Sequence, residues 1–517
     1  MAGRGAAPAL YPRDWRDPEA FRARADDVLA RFDREARERA AAAVRTPSDG
    51  AAGKLERLVA DGGLFVATGQ QPGLFGGPLY SLYKGLTAAR LASTLEALLD
   101  RPVLPLFWVA SEDHDWDEAH ETWLADLEND LRHFTVERPE GVGDEALHRI
   151  PVGAPLEDAR EAFLDALPDT DFSGPYRELL ERAWTADATL ADGFLATVEG
   201  LLGPSGVAFT TADDPALKEA SVPVLRRALE GAREHEEALT ARARELEEAG
   251  YHVQVHVMEG GVNLFVEGPA GRERLYRDDG SFHLRHSEKR LGRDDLESLL
   301  ADEPGKVSPN VLLRPVVEDA VFPTVAYVAG PGEIAYYAQL APLYEAHGVT
   351  IPVTYPRFSV TAVESKVGKV LDKFDLELDD LDRPFHEVAG DVARDEVPPG
   401  ARRVLGELRG AVGQKTSALQ DETRDLDPTL KGPISHARSV IFDALGDVEK
   451  KIVQAAKRES EIALQQIEKA QLHLFPEGKP QERRMNPFYY LFRYGDRFLR
   501  ELSERFDTSL PSSPKEG

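Results

Sequence analysis

The chain has 517 residues, of which 62 are Lys or Arg and 91 are Asp or Glu; its formal net charge is −29, and it has no cysteine. A surface this acidic repels a phosphate backbone, which argues against a nucleic-acid partner, and the lack of cysteine excludes disulfides, thiolate metal sites and a cysteine nucleophile. The length exceeds what one hydrophobic core normally supports and predicts several structural units.

The N-terminal segment, residues 1–60, predicts an amphipathic helical region rich in Arg, Glu and Ala. It begins without the apolar core of a signal peptide, and no apolar run in the sequence reaches the roughly 20 residues that span a bilayer. We therefore expect a cytoplasmic protein without a membrane partner.

Five short apolar runs predict the strands of one sheet. Strands that are buried on both faces of a parallel sheet have this continuous apolar character, and ligand-binding residues collect at their carboxyl ends. The predicted fold class is therefore α/β, with a doubly wound parallel sheet. The five runs are 64–68, 103–110, 206–211, 322–329 and 350–355.

Two insertions divide this predicted core, which comprises residues 61–120, 204–249 and 311–360. The first insertion, 121–203, is mainly helical in pattern. The second insertion, 250–310, contains four alternating segments, which predict antiparallel hairpins. These segments are YHVQVHV, VNLFVEG, RERLYRD and SFHLRH.

The C-terminal region predicts a helical arm over 361–475, followed by a tail over 476–517 that docks on the body. A helix of about 40 residues, roughly 60 Å long, needs a partner along its apolar seam, so we predict an antiparallel coiled coil with the helix around 399–425. Its exposed stripe is then a dimer surface, the alternative being an ordinary intramolecular helix pair. The seam carries Ile441, Leu445, Val448 and Ile452, at spacings of 4, 3 and 4.

The loop after the first strand, GQQPGLFGG (69–77), has four glycines in nine residues. Between a strand and a helix N-terminus, backbone N–H groups can approach a phosphate or carboxylate, although neither standard glycine-rich nucleotide motif is present. Lys84 would neutralise the anion; the alternatives are a tight structural turn for the glycines and a solvated Lys84. The predicted binding residues here are Thr68, Gly69, Gln70, Gln71, Gly73, Gly76, Gly77 and Tyr80.

The second strand ends in SEDHDWDEAH (111–120), which brings several acids and His114 to the same edge of the sheet. A histidine flanked by carboxylates can act as a general acid or base, so we predict that His114 and Asp115 are catalytic together with Lys84. Glu112 and Asp113 are predicted to bind substrate or nucleotide. The cluster can instead serve structure alone or bind a metal, but it has no ordinary ligand spacing and we predict no metal.

The fourth strand runs into GPGEIAYYAQL (330–340), which places Glu333 at a helix N-terminus facing the crevice. A carboxylate there suits a ribose hydroxyl or a substrate ammonium, the alternative being an acid that stabilises the helix dipole. We expect Gln339 to position substrate. The nearest basic side chains for a carboxylate or phosphate are Arg314, Arg357 and Lys366.

Four segments together resemble the bacillithiol biosynthesis cysteine-adding enzyme family, BshC. The resemblance covers most of the chain in order and is most specific over 68–120. It implies a Rossmann-like core similar to that of class I synthetases, two connective insertions, and a coiled-coil arm that pairs protomers into a homodimer. The segments are TGQQPGLFGGPLYSLYK, PLFWVASEDHDWDEAH, VLLRPVVEDAVFPTVAYVAGPGEIAYYAQL and LFPEGKPQER.

The resemblance also implies a ligase that adds cysteine to the amine of glucosaminyl malate, the last step of bacillithiol formation, with ATP or ADP bound. The loop 69–77 lacks the histidine of an HIGH-type signature, so activation through an adenylate or a phosphate stays open. Two alternatives remain: a metal-dependent hydrolase of a sugar conjugate, based on the cluster 112–120, and a non-catalytic, nucleotide-binding dimeric scaffold.

Overall fold

The computed structural model describes residues 10–278, 280–287, 290–395, 397–459 and 461–510. Its contacts divide the chain into two compact units. The first unit comprises Met1–Leu127, Arg132–Val360 and Met485–Gly517, and the second comprises Glu128–Leu131 and Thr361–Arg484.

The described residues contain the following strands: β1 (Leu64–Gln70), β2 (Val103–Val109), β3 (Glu121–Ala125), β4 (Leu131–Thr135), β5 (Ala208–Thr211), β6 (Gly261–Gly268), β7 (Gly271–Asp278), β8 (Ser281–Leu284), β9 (Arg290–Leu291), β10 (Val307–Pro309), β11 (Thr324–Ala329) and β12 (Val353–Pro356). The helices of the first unit up to β12 are α1 (Pro18–Arg31), α2 (Arg34–Ala42), α3 (Asp49–Ala60), α4 (Tyr80–Leu99), α5 (Trp116–Ala119), α6 (Ala154–Asp165), α7 (Ser173–Ala183), α8 (Leu190–Leu202), α9 (Pro215–Glu230), α10 (Ala232–Glu248), α11 (Arg293–Asp302), α12 (Arg314–Val321), α13 (Pro331–Tyr337) and α14 (Ala341–His347). The remaining helices are α15 (Ser365–Phe374), α16 (Phe385–Asp395), α17 (Pro399–Thr423), α18 (Lys431–Glu459), α19 (Glu461–Leu474), α20 (Phe488–Tyr494) and α21 (Asp496–Arg505).

The five predicted core strands form one parallel sheet in the order β12-β11-β1-β2-β5. Alternate side chains of each strand enter one of two apolar cores: Phe65 and Ala67 of β1 face the core shared with α9, α12 and α14, whereas Leu64 and Val66 face the core shared with α1 and α4. Because both faces are covered, the strands carry unbroken apolar runs. The predicted doubly wound α/β fold is confirmed.

The N-terminal region forms three helices, α1, α2 and α3, where the sequence suggested one amphipathic segment. Each begins at a residue whose side chain accepts a hydrogen bond from the backbone of the first turn. Asp17 accepts from Glu19, Asp33 from Ala36, and Ser48 from Ala51. These caps satisfy N–H groups that lack an intrahelical partner, so each defines a new helix start.

The second insertion contains an antiparallel sheet in the order β10-β6-β7-β8-β9. Three of its four alternating segments form strands, but the prediction of a strand at YHVQVHV (251–257) is wrong. There the backbone of Val255 is bonded by a side chain: its N–H donates to Gln339 Oε1 at 3.0 Å, and its carbonyl accepts from Gln339 Nε2 at 2.9 Å. The first insertion opens with the β3–β4 hairpin before its helices α6, α7 and α8.

The second unit is helical. Its apolar core includes Ile467, Ala470 and Leu474 of α19. Helices α17 and α18 run antiparallel, since Arg409 pairs with Glu449 at 2.6 Å and Gln420 bonds Ser435 at 2.8 Å. This pair is the predicted coiled-coil arm.

Both helices of the arm, α17 and α18, have apolar side chains exposed to solvent. On α17 these are Val404, Leu408 and Leu419, and on α18 they are Val440, Ile441 and Val448, each at least 40% exposed. No residue of α17 is buried. Within the part of the chain that the structure describes, no helix has both the length and the apolar character needed to cross a bilayer.

Candidate functional site

Lys84 lies in the second turn of α4, close to the carboxyl end of β1. Its side chain is buried, with 5% exposed, and Nζ lies 2.6 Å from Glu333 Oε2. The ammonium also donates to the carbonyl of Gly69 at 2.5 Å and to Gln70 Oε1 at 3.2 Å. Burial lowers the pKa of Lys84, and Glu333 opposes that shift. The solvated alternative for Lys84 is therefore wrong.

Glu333 caps its helix, as the alternative for this residue had it, and also pairs with Lys84. Its Oε2 accepts from the backbone N–H of Gly330 at 2.7 Å, which caps α13, and the same carboxylate pairs with Lys84. Its Oε1 accepts from Tyr327 Oη at 2.6 Å. Although burial opposes the change, Lys84 and these hydrogen bonds hold the pKa of Glu333 below its usual value. The carboxylate therefore stays ionised at the end of β11.

Arg314, the first residue of α12, shares a hydrogen-bond partner, Tyr327, with Glu333. Its Nη1 lies 2.6 Å from Glu318 Oε2, and its Nη2 donates to Tyr327 Oη at 3.1 Å and to Tyr336 Oη at 3.4 Å. A Cβ added at Gly69 would lie 3.2 Å from Tyr327 Oη and 3.6 Å from Arg314 Nη1. The glycine therefore gives the aromatic hydroxyl and the guanidinium room beside β1.

Arg357 follows β12, and its guanidinium lies 5.4 Å above the ring of Tyr80. The hydroxyl of Tyr80 accepts from Gln70 Nε2 at 3.1 Å. A Cβ added at Gly330 would lie 3.5 Å from Arg357 Nε and 3.8 Å from Lys84 Cε, so the two cations approach the same short stretch of backbone.

We call Lys84, Arg314 and Arg357, with Glu333 among them, the cation cluster. Lys366, the third predicted basic residue, belongs to the second unit and bonds Asn129 there.

The acids that follow β2 have separate partners. Asp113 accepts from the backbone N–H of His114 and of Asp115 and from the side-chain amide of Gln71. Asp115 caps α5 by accepting from Glu118 N at 3.2 Å. Glu112 pairs with Lys218 at 2.6 Å. The carboxylate of Asp115 therefore has a capping role, and its predicted catalytic role beside His114 stays a prediction.

His114 contacts a residue that the sequence analysis did not select. Its Nδ1 lies 3.2 Å from Arg272 Nη1 and 3.7 Å from Asp113 Oδ1, and only the first distance is that of a hydrogen bond. Burial lowers the pKa of His114, Arg272 lowers it further, and Asp113 opposes both. Arg272 lies in β7 of the second insertion, and only the folding of that insertion onto the core brings it to the end of β2.

We call Asp113, Asp115 and Glu118 the acid cluster. Burial raises the pKa of Glu118, and the charges of Asp115 and Asp113 add to that effect. Among the described residues, no three His, Asp or Glu side chains converge in a geometry that can hold a metal ion.

The cation cluster and the acid cluster meet at two consecutive residues. Gln70 bonds Lys84 and Tyr80, whereas Gln71 bonds Asp113. Neighbouring Cα atoms are about 3.8 Å apart, so both clusters have a contact near the carboxyl ends of β1 and β2. In an open α/β sheet this edge is the usual ligand-binding position.

The glycine-rich loop does not have the geometry predicted for it. The N–H groups of Gly76 and Gly77 donate to the carbonyls of Gly73 and Leu74, and Asn486 donates to the carbonyl of Phe75 at 3.1 Å. A Cβ at Gly76 would lie 2.5 Å from Thr197 Cγ2. Gly73, Gly76 and Gly77 are buried, and the structure gives them a packing role in place of the predicted anion contact.

Two further predicted binding residues are engaged in the fold. Thr68 donates to the carbonyl of Val328 at 2.9 Å, which ties β1 to β11. Both polar atoms of Gln339 bond the backbone of Val255. In these contacts both side chains join neighbouring segments of the fold, and their predicted role in binding stays a prediction.

Comparison with known proteins gives a consistent result over the whole chain. The Bacillithiol biosynthesis BshC, N-terminal Rossmann-like domain matches residues 3–358, and the Bacillithiol biosynthesis BshC, C-terminal coiled-coil domain matches residues 360–510. A relative from Salinibacter ruber is 35% identical over 514 residues, which cover 97% of this chain and 92% of the relative. A relative from Chlorobaculum tepidum is 36% identical over 469 residues, which cover 87% and 82%. Both carry the name "Putative cysteine ligase BshC".

The packing role of the loop can be tested with Gly76→Ala. The new methyl meets Thr197 Cγ2, and Gly76 has a φ of +72°, so we expect a loss of about 1–3 kcal/mol in the free energy of unfolding. Thr197→Ser removes Cγ2 but keeps the hydroxyl that bonds Trp184, so the cost of Gly76→Ala should fall by about 1 kcal/mol in that background. Denaturant unfolding of the four proteins measures this; an equal cost in both backgrounds would contradict the packing role. Gly53→Ala, which places its methyl in open space within α3, is the control.

Proposed function

The chain belongs to the bacillithiol biosynthesis BshC family, and on that premise we propose that it is the ligase that joins the carboxyl group of cysteine to the amine of glucosaminyl malate. The relatives' name supports a cysteine ligase. The feature that carries the proposal is the pair of oppositely charged clusters at one sheet edge, because an amide-forming site must hold an anionic acid beside a cationic amine.

The cation cluster is suited to the acid. Lys84, Arg314 and Arg357 bring three cationic side chains to this part of a chain whose net charge is −29, with Glu333 and Glu318 paired to Lys84 and Arg314. An anion that enters here therefore approaches cationic groups on an otherwise repelling surface. Guanidinium groups bind carboxylates and phosphates in a bidentate manner, which fixes orientation as well as charge.

The acid cluster is suited to the amine. Asp113, Asp115 and Glu118 face the end of β2 next to Gln71, and an ammonium group can donate to such carboxylates. The bound ammonium must first give one proton to a carboxylate of the acid cluster. When the free amine then attacks the activated carboxyl carbon, a C–N bond forms, the C–O bond to the activating group breaks with its electron pair on oxygen, and the nitrogen loses a second proton to the leaving group or to solvent. Glu118 is the best acceptor of the first proton within the cluster, because burial raises its pKa.

A nucleotide fits this crevice at the cation cluster rather than at the loop. Bound there, ATP supplies the phosphoryl or adenylyl group that activates the carboxylate. Lys84, Arg314 and Arg357 would hold its phosphates, since the N–H groups of Gly76 and Gly77 already bond within the loop. The choice between adenylate and phosphate depends on which phosphate these cations contact.

We also propose that the arm pairs two copies of the chain. The apolar side chains of α17 and α18 are exposed, and burying an apolar side chain of this size stabilises by roughly 1.5–3 kcal/mol. Lone helical hairpins rarely keep such a stripe in water, and stripes of this kind mark association surfaces. A second copy offers the complementary stripe by symmetry.

The ligase proposal is tested by Lys84→Met. Product formation from cysteine, glucosaminyl malate and ATP should fall about 100-fold or more, since the variant loses a cation that stabilises charge in the transition state. Arg24→Met is the matched control, because Arg24 is a buried cation away from the proposed site: it pairs with Asp319 at 3.7 Å and donates a hydrogen bond to the carbonyl of Thr324 at the amino end of β11. We expect the Arg24→Met variant to be less stable but to keep most of the activity per folded molecule. Wild-type protein that binds nucleotide but forms no product would instead support the scaffold alternative.

The pairing of two copies is tested by Leu408→Glu combined with Val448→Glu. Charges on the stripe should turn a dimer into a monomer, as measured by light scattering at micromolar concentration, with unchanged helical circular dichroism. Met258→Glu, at a 45% exposed apolar residue of the first unit, should stay dimeric. A monomeric wild-type chain would refute the pairing.

A further inference from the structure

Arg272, in the second insertion, contacts the imidazole of His114 in the core. Its Nε donates to Ser308 Oγ at 2.8 Å and its Nη2 to the carbonyl of Pro309 at 3.0 Å. The guanidinium carbon lies 4.0 Å from the centre of the Phe265 ring. These contacts with β6 and β10 hold the guanidinium in one orientation, and its remaining arm, Nη1, points at His114.

The contact between Arg272 and His114 decides which imidazole nitrogen carries the proton. A guanidinium has only N–H donors and no acceptor. In the 3.2 Å contact, Nδ1 of His114 must therefore be the acceptor and must lack a proton. A neutral imidazole with a bare Nδ1 carries its proton on Nε2.

Among the described residues, the carboxylates near His114 do not reverse this assignment. The charged residues with an effect on the ring include Arg272, Asp113, Asp144 and Asp115. Asp113 is the nearest carboxylate, but it lies 3.7 Å from Nδ1 and its oxygens already accept from Gln71 and from two backbone N–H groups. A proton on Nδ1 would be directed at the N–H of a cation rather than at a carboxylate.

We propose that Arg272 is a positioning residue that holds His114 neutral with its proton on Nε2, and that this N–H donates to a substrate oxygen that gains negative charge. The ring is not sealed off, since 31% of the side chain is exposed. The role assigned to the donor rests on the proposed ligase function, whereas the position of the proton does not. It replaces the general-base role that the sequence suggested, because a nitrogen that already carries a proton cannot accept another while the ring stays neutral.

A neutral donor suits this position in the crevice. The carbonyl oxygen of the activated acid gains negative charge when the amine adds, and a fixed N–H directed at that oxygen stabilises the transition state more than the ground state. An imidazolium there would donate more strongly, but it would place a second positive charge against Arg272. Holding the ring neutral avoids that repulsion.

The position of the proton can be measured without any substrate. In the full chain labelled with 15N-histidine, the two nitrogen resonances missing from His114→Gln belong to His114. We expect its Nδ1 at the chemical shift of an unprotonated nitrogen and its Nε2 at that of a protonated one. Arg272→Lys, which keeps a donor, should preserve this pattern if it reaches Nδ1, and Arg272→Met, which has no donor, should let the tautomer with its proton on Nδ1 appear. A protonated Nδ1 in the wild-type chain would overturn the proposal.

The donor role of His114 is tested by two substitutions that place an amide nitrogen at different positions of the imidazole ring. The amide nitrogen of Gln can take the place of Nε2, whereas that of Asn takes the place of Nδ1. We expect His114→Asn to lose about 100-fold or more in kcat/KM and His114→Gln to remain at least about 10-fold more active than His114→Asn. Equal losses would show that the proton donor is dispensable and would overturn the role.

The pH profile separates a positioning role from a merely structural one. Because burial and Arg272 lower the pKa of His114, the neutral ring persists to a lower pH, and kcat/KM should fall in acid through protonation of the ring as well as of Glu118. In Arg272→Gln the part of this acid limb that belongs to His114 should move to higher pH, and in His114→Gln only the part that belongs to Glu118 should remain. An acid limb unmoved by Arg272→Gln would contradict the proposal. If wild-type protein forms no product, the ligase function and the donor role fail together, while the nitrogen spectrum still decides the tautomer.

Discussion

The site depends on the buried ion pair between Lys84 and Glu333. It joins the first helix after β1 to the cap of the helix after β11, so two adjacent strand ends are fixed by one contact. Removing one partner of a buried pair typically costs about 3–5 kcal/mol, because the other charge is left uncompensated. Here each charge has further partners: Lys84 donates to the Gly69 carbonyl, and Glu333 accepts from Tyr327 and Gly330. The pair is therefore a fixed part of the fold, and it keeps a positive group at the mouth of the sheet.

Charge is arranged by strand rather than spread over the crevice. Lys84 follows β1 and Arg357 follows β12, with Glu333 between them after β11. Carboxylates predominate after β2, and the insertion adds Arg272 beside His114. This separation lets an acid and an amine lie side by side without either occupying the other's position, which favours a joining reaction over hydrolysis of a single substrate.

The sheet could be predicted from the sequence because strands that are buried on both faces have unbroken apolar runs. The position of the site followed, because ligands bind at the carboxyl ends of the strands in such a sheet. The sequence also selected Lys84, Arg314 and Glu333, which the structure brings together. It did not find Arg272, because an alternating strand in an insertion carries no sign of the surface against which it folds. The prediction for the glycine-rich loop failed for a related reason: the close neighbours that require glycine are a distant helix at Gly76 and the C-terminal segment at Gly77, and neither can be recognised from the loop sequence itself.

In the proposed ligase, an anionic acid and a cationic amine bind on opposite sides of Gln70 and Gln71. The most direct measurement is a crystal structure of the full chain with glucosaminyl malate and a non-hydrolysable ATP analogue. We expect the sugar amine beside Asp113 and Glu118, with a phosphate against Lys84 and Arg314. Ligands bound on separate surfaces, or an amine held at the cation cluster, would contradict the proposal.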